Sequence, residues 1–126
     1  MYQIEKINDT SFYIKATGTF PPPVAERFKN EFEELTKDII DNLSLIIDIS
    51  DAILLSINSI ELILMLLKRN NKKLFRSAFV ISENPPLSEE FRYLLEKAAS
   101  PKRKIVSNLK EAKKWIGIQD IVIKKD

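Results

Sequence analysis

The sequence predicts a single α/β domain: a mixed β-sheet with helices packed on it, in the order β-β-α-β-α-β-α-β-α. Three observations carry this. Two short segments before Gly18 alternate as paired strands do. Beyond them, stretches with apolar residues at helical spacing take turns with short, nearly continuous apolar runs. The chain has 126 residues, 44% of them apolar, which is enough for one sizeable core and not for two. Right-handed crossovers return each later strand in the same direction, so an antiparallel opening pair should feed a parallel remainder. The domain is expected over residues 1–118, with 119–126 as a tail or an added edge strand.

Each element has its own signal. Tyr2 to Ile7 alternates weakly, whereas Phe12, Ile14 and Ala16 alternate cleanly with Tyr13, Lys15 and Thr17, and Asn8-Asp9-Thr10-Ser11 supplies the turn between them. Gly18 and Pro21-Pro22-Pro23 end the second strand, and the last proline suits a helix start. Val24, Phe28, Phe32, Leu35 and Ile39 then recur at spacings of four and three. Leu45-Ile46-Ile47-Asp48-Ile49 has the continuous apolar character of a central strand covered on both faces. For the second helix, Asn58 reads as N-cap, with Glu61 three residues on and Ile57 and Leu62 as a hydrophobic staple. Lys68-Arg69-Asn70-Asn71 suits its end. Phe75 to Ser82 reads as a buried strand broken by Asn84-Pro85-Pro86. Ser88 caps a third helix with the stripe Phe91, Leu94, Leu95, Ala98 and Ala99. After Pro101 come a short strand, Lys104-Ile105-Val106, and a last helix capped by Asn108 and Glu111, carrying Leu109, Ala112, Trp115 and Ile116 before Gly117.

Composition excludes much chemistry. There is no Cys and no His, which removes disulfides, thiolate and imidazole catalysis, and most zinc sites. The formal charge of +2 does not suit a chain that coats nucleic acid. The strongest apolar run, Leu62 to Leu67, is six residues long, against the roughly 20 of a membrane-spanning helix. The opening Met1-Tyr2-Gln3-Ile4-Glu5-Lys6 lacks the pattern of an export signal, so the expected location is the cytoplasm.

The segment Leu45-Ile46-Ile47-Asp48-Ile49-Ser50-Asp51-Ala52-Ile53, and the ending Ser107-Asn108-Leu109-Lys110-Glu111-Ala112-Lys113-Lys114-Trp115-Ile116, resemble the STAS domains of SpoIIAA-like anti-sigma factor antagonists. The resemblance covers roughly residues 2 to 117 and rests mostly on hydrophobic spacing. It implies a STAS-like fold and a non-catalytic, regulatory module that binds a protein, such as an anti-sigma-like kinase, or a second copy of itself as a homodimer. Antagonists of this kind carry a phosphorylatable serine at the start of the second helix. Laid on this chain without gaps, that position is Asn58, so the usual serine is missing. A slip of one or two residues brings Ser59 or Ser56 to it, and these two are the candidate phosphorylation positions.

The candidate site lies where the central strand meets the second helix: Ser50, Asp51, Ser56, Asn58 and Ser59, with Asp48 behind them. Ligands commonly sit at this edge of an open α/β sheet, and the start of a helix favours anions. Capping and turn formation account for the same residues. Asp48 and Asp51 have no third ligand beside them, so no metal is expected, and no cofactor. A receiver domain also ends a central strand in aspartate, but it needs an acidic pair after its first strand, where this chain has a hairpin turn.

On the second helix Ile60, Ile63, Leu64 and Leu67 form one stripe for the sheet, which leaves Leu62, Met65 and Leu66 pointing elsewhere. Neighbouring helices cover them, or they form a contact face for a protein or lipid. Charge is uneven as well: residues 1–63 hold five basic and eleven acidic groups, net −6, and residues 64–126 hold fifteen and seven, net +8. The basic excess around Lys68 to Arg76 and Lys102 to Lys114 reads as a solvated face or as a surface for an acidic partner. A nucleic-acid role would want aromatic residues between the bases, and Trp115 is assigned to the core.

The expectation is therefore a protein-interaction module whose contact surface runs from Ser50 to Leu66. The alternative is a domain for a small apolar ligand or lipid, since STAS-like domains resemble the CRAL-TRIO lipid carriers in fold. It requires an enclosed apolar pocket near Leu62, Met65 and Leu66.

Overall fold

In the computed structural model, residues 2–53, 56–81, 85–98 and 101–117 are described. The expected order is observed: β1 (Tyr2–Asn8), β2 (Ser11–Gly18), α1 (Pro22–Thr36), β3 (Leu43–Ala52), α2 (Ile57–Asn70), β4 (Leu74–Val80), α3 (Pro85–Ala98), β5 (Arg103–Val106) and α4 (Leu109–Ile116). The five strands form one sheet in the order β1-β2-β3-β4-β5. β1 and β2 are antiparallel, and every later pairing is parallel. The proposed edge strand at 119–126 lies outside the described residues.

Because each parallel crossover steps one strand in the same direction, right-handedness puts α1, α2 and α3 on one face of the sheet and leaves the other to α4. The core divides accordingly. Phe12, Phe28, Phe32, Leu45 and Leu66 pack together between the sheet, α1 and α2. Ile49, Leu67, Phe79, Leu87, Phe91 and Leu94 do so between the sheet, α2 and α3. On the opposite face Tyr13, Ile46, Ala78, Val80 and Val106 pack with Ala112 and Ile116 of α4. β3 is buried on both sides, as its unbroken apolar run requires.

Several boundaries differ from the sequence expectation. The first helix starts at Pro22 and ends at Thr36, so Ile39 lies beyond it and Leu35 turns 46% of its surface to solvent. The buried position in its last turn goes to Thr36, whose hydroxyl donates to the Phe32 carbonyl at 2.8 Å. The second helix is capped by Ser56 and not by Asn58: the Ser56 Oγ accepts from the Ser59 backbone N–H. The reason is a tertiary anchor. Ser59 donates its hydroxyl to the Phe20 carbonyl at 2.7 Å, which requires Ser59 on the buried side of the first turn and moves the cap two residues upstream. Ile57 is 75% exposed, so the expected staple to Leu62 does not form. The third helix starts at Pro85, where a proline loses no hydrogen bond, and Ser88 lies within it. The fourth helix is capped as expected: Asn108 accepts from the Glu111 N–H, Glu111 reaches back to the Ser107 N–H, and Gly117 closes the helix at φ 78°.

The basic run has a structural cause. In a parallel α/β sheet all helix C-termini gather at the edge where the strands begin, each presenting unpaired carbonyls and a partial negative charge. Lys73 Nζ donates to the Thr36 carbonyl at the end of α1. Arg103 Nη2 and Lys102 Nζ serve the end of α2, on the Leu67 and Asn71 carbonyls. Arg76 Nη1 takes the Trp115 carbonyl at the end of α4. The Arg76 guanidinium also lies 4.4 Å from the Trp115 ring centre, so that half-buried ring is shared between core and basic edge.

Candidate functional site

Strand β3 delivers the candidate residues in an alternating pattern. Asp48 lies on the α4 side of the sheet, half-buried, where it accepts from the Tyr13 hydroxyl at 3.3 Å and from the Ser50 N–H at 3.2 Å. Burial first, and the Asp48 charge and hydrogen bond after it, push the Tyr13 phenol up to about 12. Ser50 donates to the Val80 carbonyl of β4 at 3.3 Å, which ties the end of β3 to its neighbour. Asp51 is exposed, Ala52 is buried and Ile53 is 55% exposed. The Ile53 N–H bonds to the carbonyl of Gly18, whose φ of 68° lets β2 turn away at this point. Among the described residues no group of three or more acidic side chains could hold a metal ion.

The start of α2 brings Ser56, Asn58 and Ser59 together in different roles. Ser56 and Asn58 are exposed, whereas Ser59 is wholly buried and committed to Phe20. Solvent therefore reaches the Ser56 side chain and not that of Ser59. Further along the helix Met65 is 40% exposed. Leu62 is half-buried against the α1 side of the core, and Leu66 is 94% buried. Leu66 is thus a core residue and no part of an outer contact surface. α2 is apolar over a wide arc because it is the middle helix of three and meets the sheet, α1 and α3 at once. What remains exposed is Ile57, Asn58, Glu61 and Met65, with Lys68 and Arg69 in the last turn and Ile53 and Ser56 before the helix.

Beneath α2 lies an apolar cavity of about 70 Å³. Ile14, Leu45 and Phe79 of the sheet, Phe28 of α1, Leu66 of α2 and Phe91 of α3 contribute to its wall. Asn70 and Arg103 line one part of it. Sequence reasoning missed both. Asn70 ends α2 as the sequence suggested, but its burial was not foreseen: from that position it donates to the Leu66 carbonyl at 2.8 Å. Arg103 looked like one of many surface cations, yet it is 93% buried. Its in-register pairing with Ser77 on β4, visible only in the folded sheet, puts it on the inner face.

No helix among the described residues is long and apolar enough to cross a membrane. No family model and no curated protein matches this sequence. Solved structures do. An uncharacterized DUF3478-family protein with a SpoIIAA-like fold, from Shewanella loihica PV-4, superposes with a TM-score of 0.71 at 19% identity over 92% of both chains. The anti-sigma factor antagonist SpoIIAA in its unphosphorylated form superposes with a TM-score of 0.58 at 11% identity, over 88% of this chain and 93% of that one. With the mixed five-stranded sheet, α1, α2 and α3 on one face and α4 on the other, these likenesses establish that this chain has a SpoIIAA-like fold.

Proposed function

We propose that this chain is a non-catalytic cytoplasmic module that binds a protein partner through the end of β3 and the exposed side of α2. The observation that carries this reading is Ile57. It is a large aliphatic residue, 75% exposed, on the first turn of α2 beside the Ser56 cap, with Ile53 before it and Met65 two turns further along the same helix side. Isolated exposed apolar residues are ordinary, but Ile53 and Ile57 flank the strand-to-helix edge, and Met65, about 12 Å further along the helix, extends an apolar strip that a partner can use. The likeness to an anti-sigma factor antagonist supports a protein as occupant, and since that antagonist was solved in an unphosphorylated form, phosphorylation is a means of control to consider for this chain. In this chain Ser56 is the residue suited to that role. A phosphate on an N-cap serine meets the positive end of the helix and places two negative charges beside Ile57.

The test is affinity capture from the source cell with wild type, Ile57→Asp and Ile40→Asp. Ile40 is 88% exposed, beyond the C-terminal end of α1. One protein retained by wild type and Ile40→Asp and lost with Ile57→Asp supports the reading. Equal retention by all three contradicts it. A wild-type chain that recovers only itself and sediments as a dimer replaces the heterologous partner with a second copy.

The cavity beneath α2 favours a second reading, a domain that holds a small apolar ligand. Leu66 lines it, as that reading expects, whereas Leu62 and Met65 stand outside. Its volume of about 70 Å³ is roughly half that of a cavity known to take benzene, which suits a short chain and not a whole lipid.

A further inference from the structure

The start of β4 exposes an aromatic residue that the core does not use. Leu43 pairs with Leu74 and Ser44 with Arg76, which makes Phe75 an extra residue on β4, a bulge in a parallel ladder. Bulges are rare between parallel strands, and they re-aim side chains. This one leaves Phe75 47% exposed. It also brings together two consecutive side chains that a regular strand would point to opposite faces, since the Arg76 guanidinium lies 5.4 Å from the Phe75 ring centre. The same guanidinium lies 4.4 Å from the Trp115 ring centre, and its Nη1 donates to the Trp115 carbonyl at 2.9 Å. Lys104 Nζ, on the neighbouring β5, is 5.3 Å from that indole. The indole itself is fixed, because its Nε1 donates to the Ser77 carbonyl at 2.9 Å. Two rings and two cations thus alternate over one surface, in the order Phe75, Arg76, Trp115, Lys104.

The charge around them has one sign. Residues 71–82 hold three basic groups and no acidic one, and residues 101–117 hold six basic groups and one acidic. Lys72 and Lys114, close to Phe75 and Trp115 in the chain, are both exposed. The one acidic residue, Glu111, is held at the far end of α4 by the Ser107 N–H at 2.9 Å. The sequence offers no aromatic residue among these cations, because Trp115 reads as core. The folded chain supplies two, Trp115 half-buried and Phe75 turned to solvent.

We propose that this surface binds single-stranded nucleic acid, with a base stacked on the open side of Phe75 and the phosphates running past Arg76 and Lys104. Proteins that hold single strands without reading sequence combine a positive track with aromatic platforms, since every base has a π-face. An acidic protein segment would answer the charge and leave the ring idle. A duplex would do the same, because its bases are already stacked on one another. With a formal charge of only +2 on the whole chain, binding should be weak and strongly dependent on salt. The surface lies where the strands begin, at the other end of the sheet from Ser56 and Ile57, so it stands or falls separately from the protein-binding reading.

The test is fluorescence anisotropy of a labelled oligothymidylate of about 12 nucleotides titrated with the full chain in roughly 50 mM salt, with an abasic strand and a duplex of the same length as competitors. The single strand should bind at least about fivefold more tightly than either competitor, the factor expected of one stacked base. Phe75→Ala should weaken it by a similar factor without altering the salt dependence, and Phe75→Tyr, which keeps a ring, should preserve it. Lys104→Gln should flatten the slope of log affinity against log salt by about 0.7, as loss of one phosphate contact requires. Phe75 and Lys104 are both exposed, and Lys104→Gln keeps the test decisive should Phe75→Ala fail to fold. No binding of the single strand, equal binding of the abasic strand, or an unchanged salt slope in Lys104→Gln overturns the proposal. Displacement of the strand by polyglutamate, with Phe75→Ala binding as wild type does, gives the surface to an acidic protein instead.

Discussion

Ser56 and Ser59 are three residues apart and have opposite fates, one holding the helix start from solvent and the other fastened into the core. The assignment has a direct energetic signature. Ser56→Ala should cost about 1 kcal/mol in urea unfolding, because the N–H it accepts loses its cap, whereas Asn58→Ala should stay within about 0.5 kcal/mol. Equal costs would return the cap to Asn58. Sequence alone favoured Asn58, since Glu61 stands three residues after it. What decided otherwise was the Phe20 carbonyl, 39 residues away in sequence, which no local pattern reports. A second residue-scale effect concerns pH. Burial and Asp48 raise the Tyr13 phenol from 10.0 to about 12, and burial and Glu31 do the same for Tyr2. A phenol whose pKa is higher in the folded state contributes its stability fully below pH 10, and that contribution is lost as pH climbs through about 12. Thermal melts should fall over this window, and Tyr13→Phe should make the fall shallower while Tyr2 keeps its share. An unchanged slope would show that Tyr13 ionises as freely folded as unfolded.

At the scale of elements, α2 was the least legible part of the sequence and is the most informative in the structure. Its Leu62, Met65 and Leu66 did not fit a one-sided stripe because the helix has three apolar neighbours, a fact that depends on the strand order. Leu66→Ala should therefore cost about 2 to 5 kcal/mol and enlarge the cavity, while Met65→Ala should cost about 0.5 kcal/mol or less. Similar values for both would mean that α2 is not seated as described. The basic run was likewise read from the sequence as a free surface. Much of it serves the helix ends: Lys73, Arg76, Lys102 and Arg103 each take a carbonyl at a helix C-terminus. Lys73→Met should destabilise the fold by about 0.3 to 1 kcal/mol in dilute buffer, and by less in roughly 1 M salt, where the dipole interaction is screened. A salt-independent loss would point to packing of the lysine stem instead.

For the molecule as a whole, the element order was legible because alternation, helical spacing and proline breaks are local signals. The cavity was not, since its wall draws on strands and helices from Tyr2 to Arg103. The parallel sheet sorts the surface by end. Helix C-termini with their basic partners occupy the edge where strands begin. At the strand-to-helix edge Ser56 caps α2, but the side chains of Ile53 and Ile57 stand largely exposed, and this contrast is the basis for placing the contact surface there. Photo-crosslinking in the source cell from a reactive residue at position 57, against the same residue at position 40, tests that placement most directly. The account predicts one discrete adduct from position 57, diminished when Ser56 is replaced by Asp, and none from position 40. Identical adduct patterns from both positions, or no adduct from position 57, would contradict it.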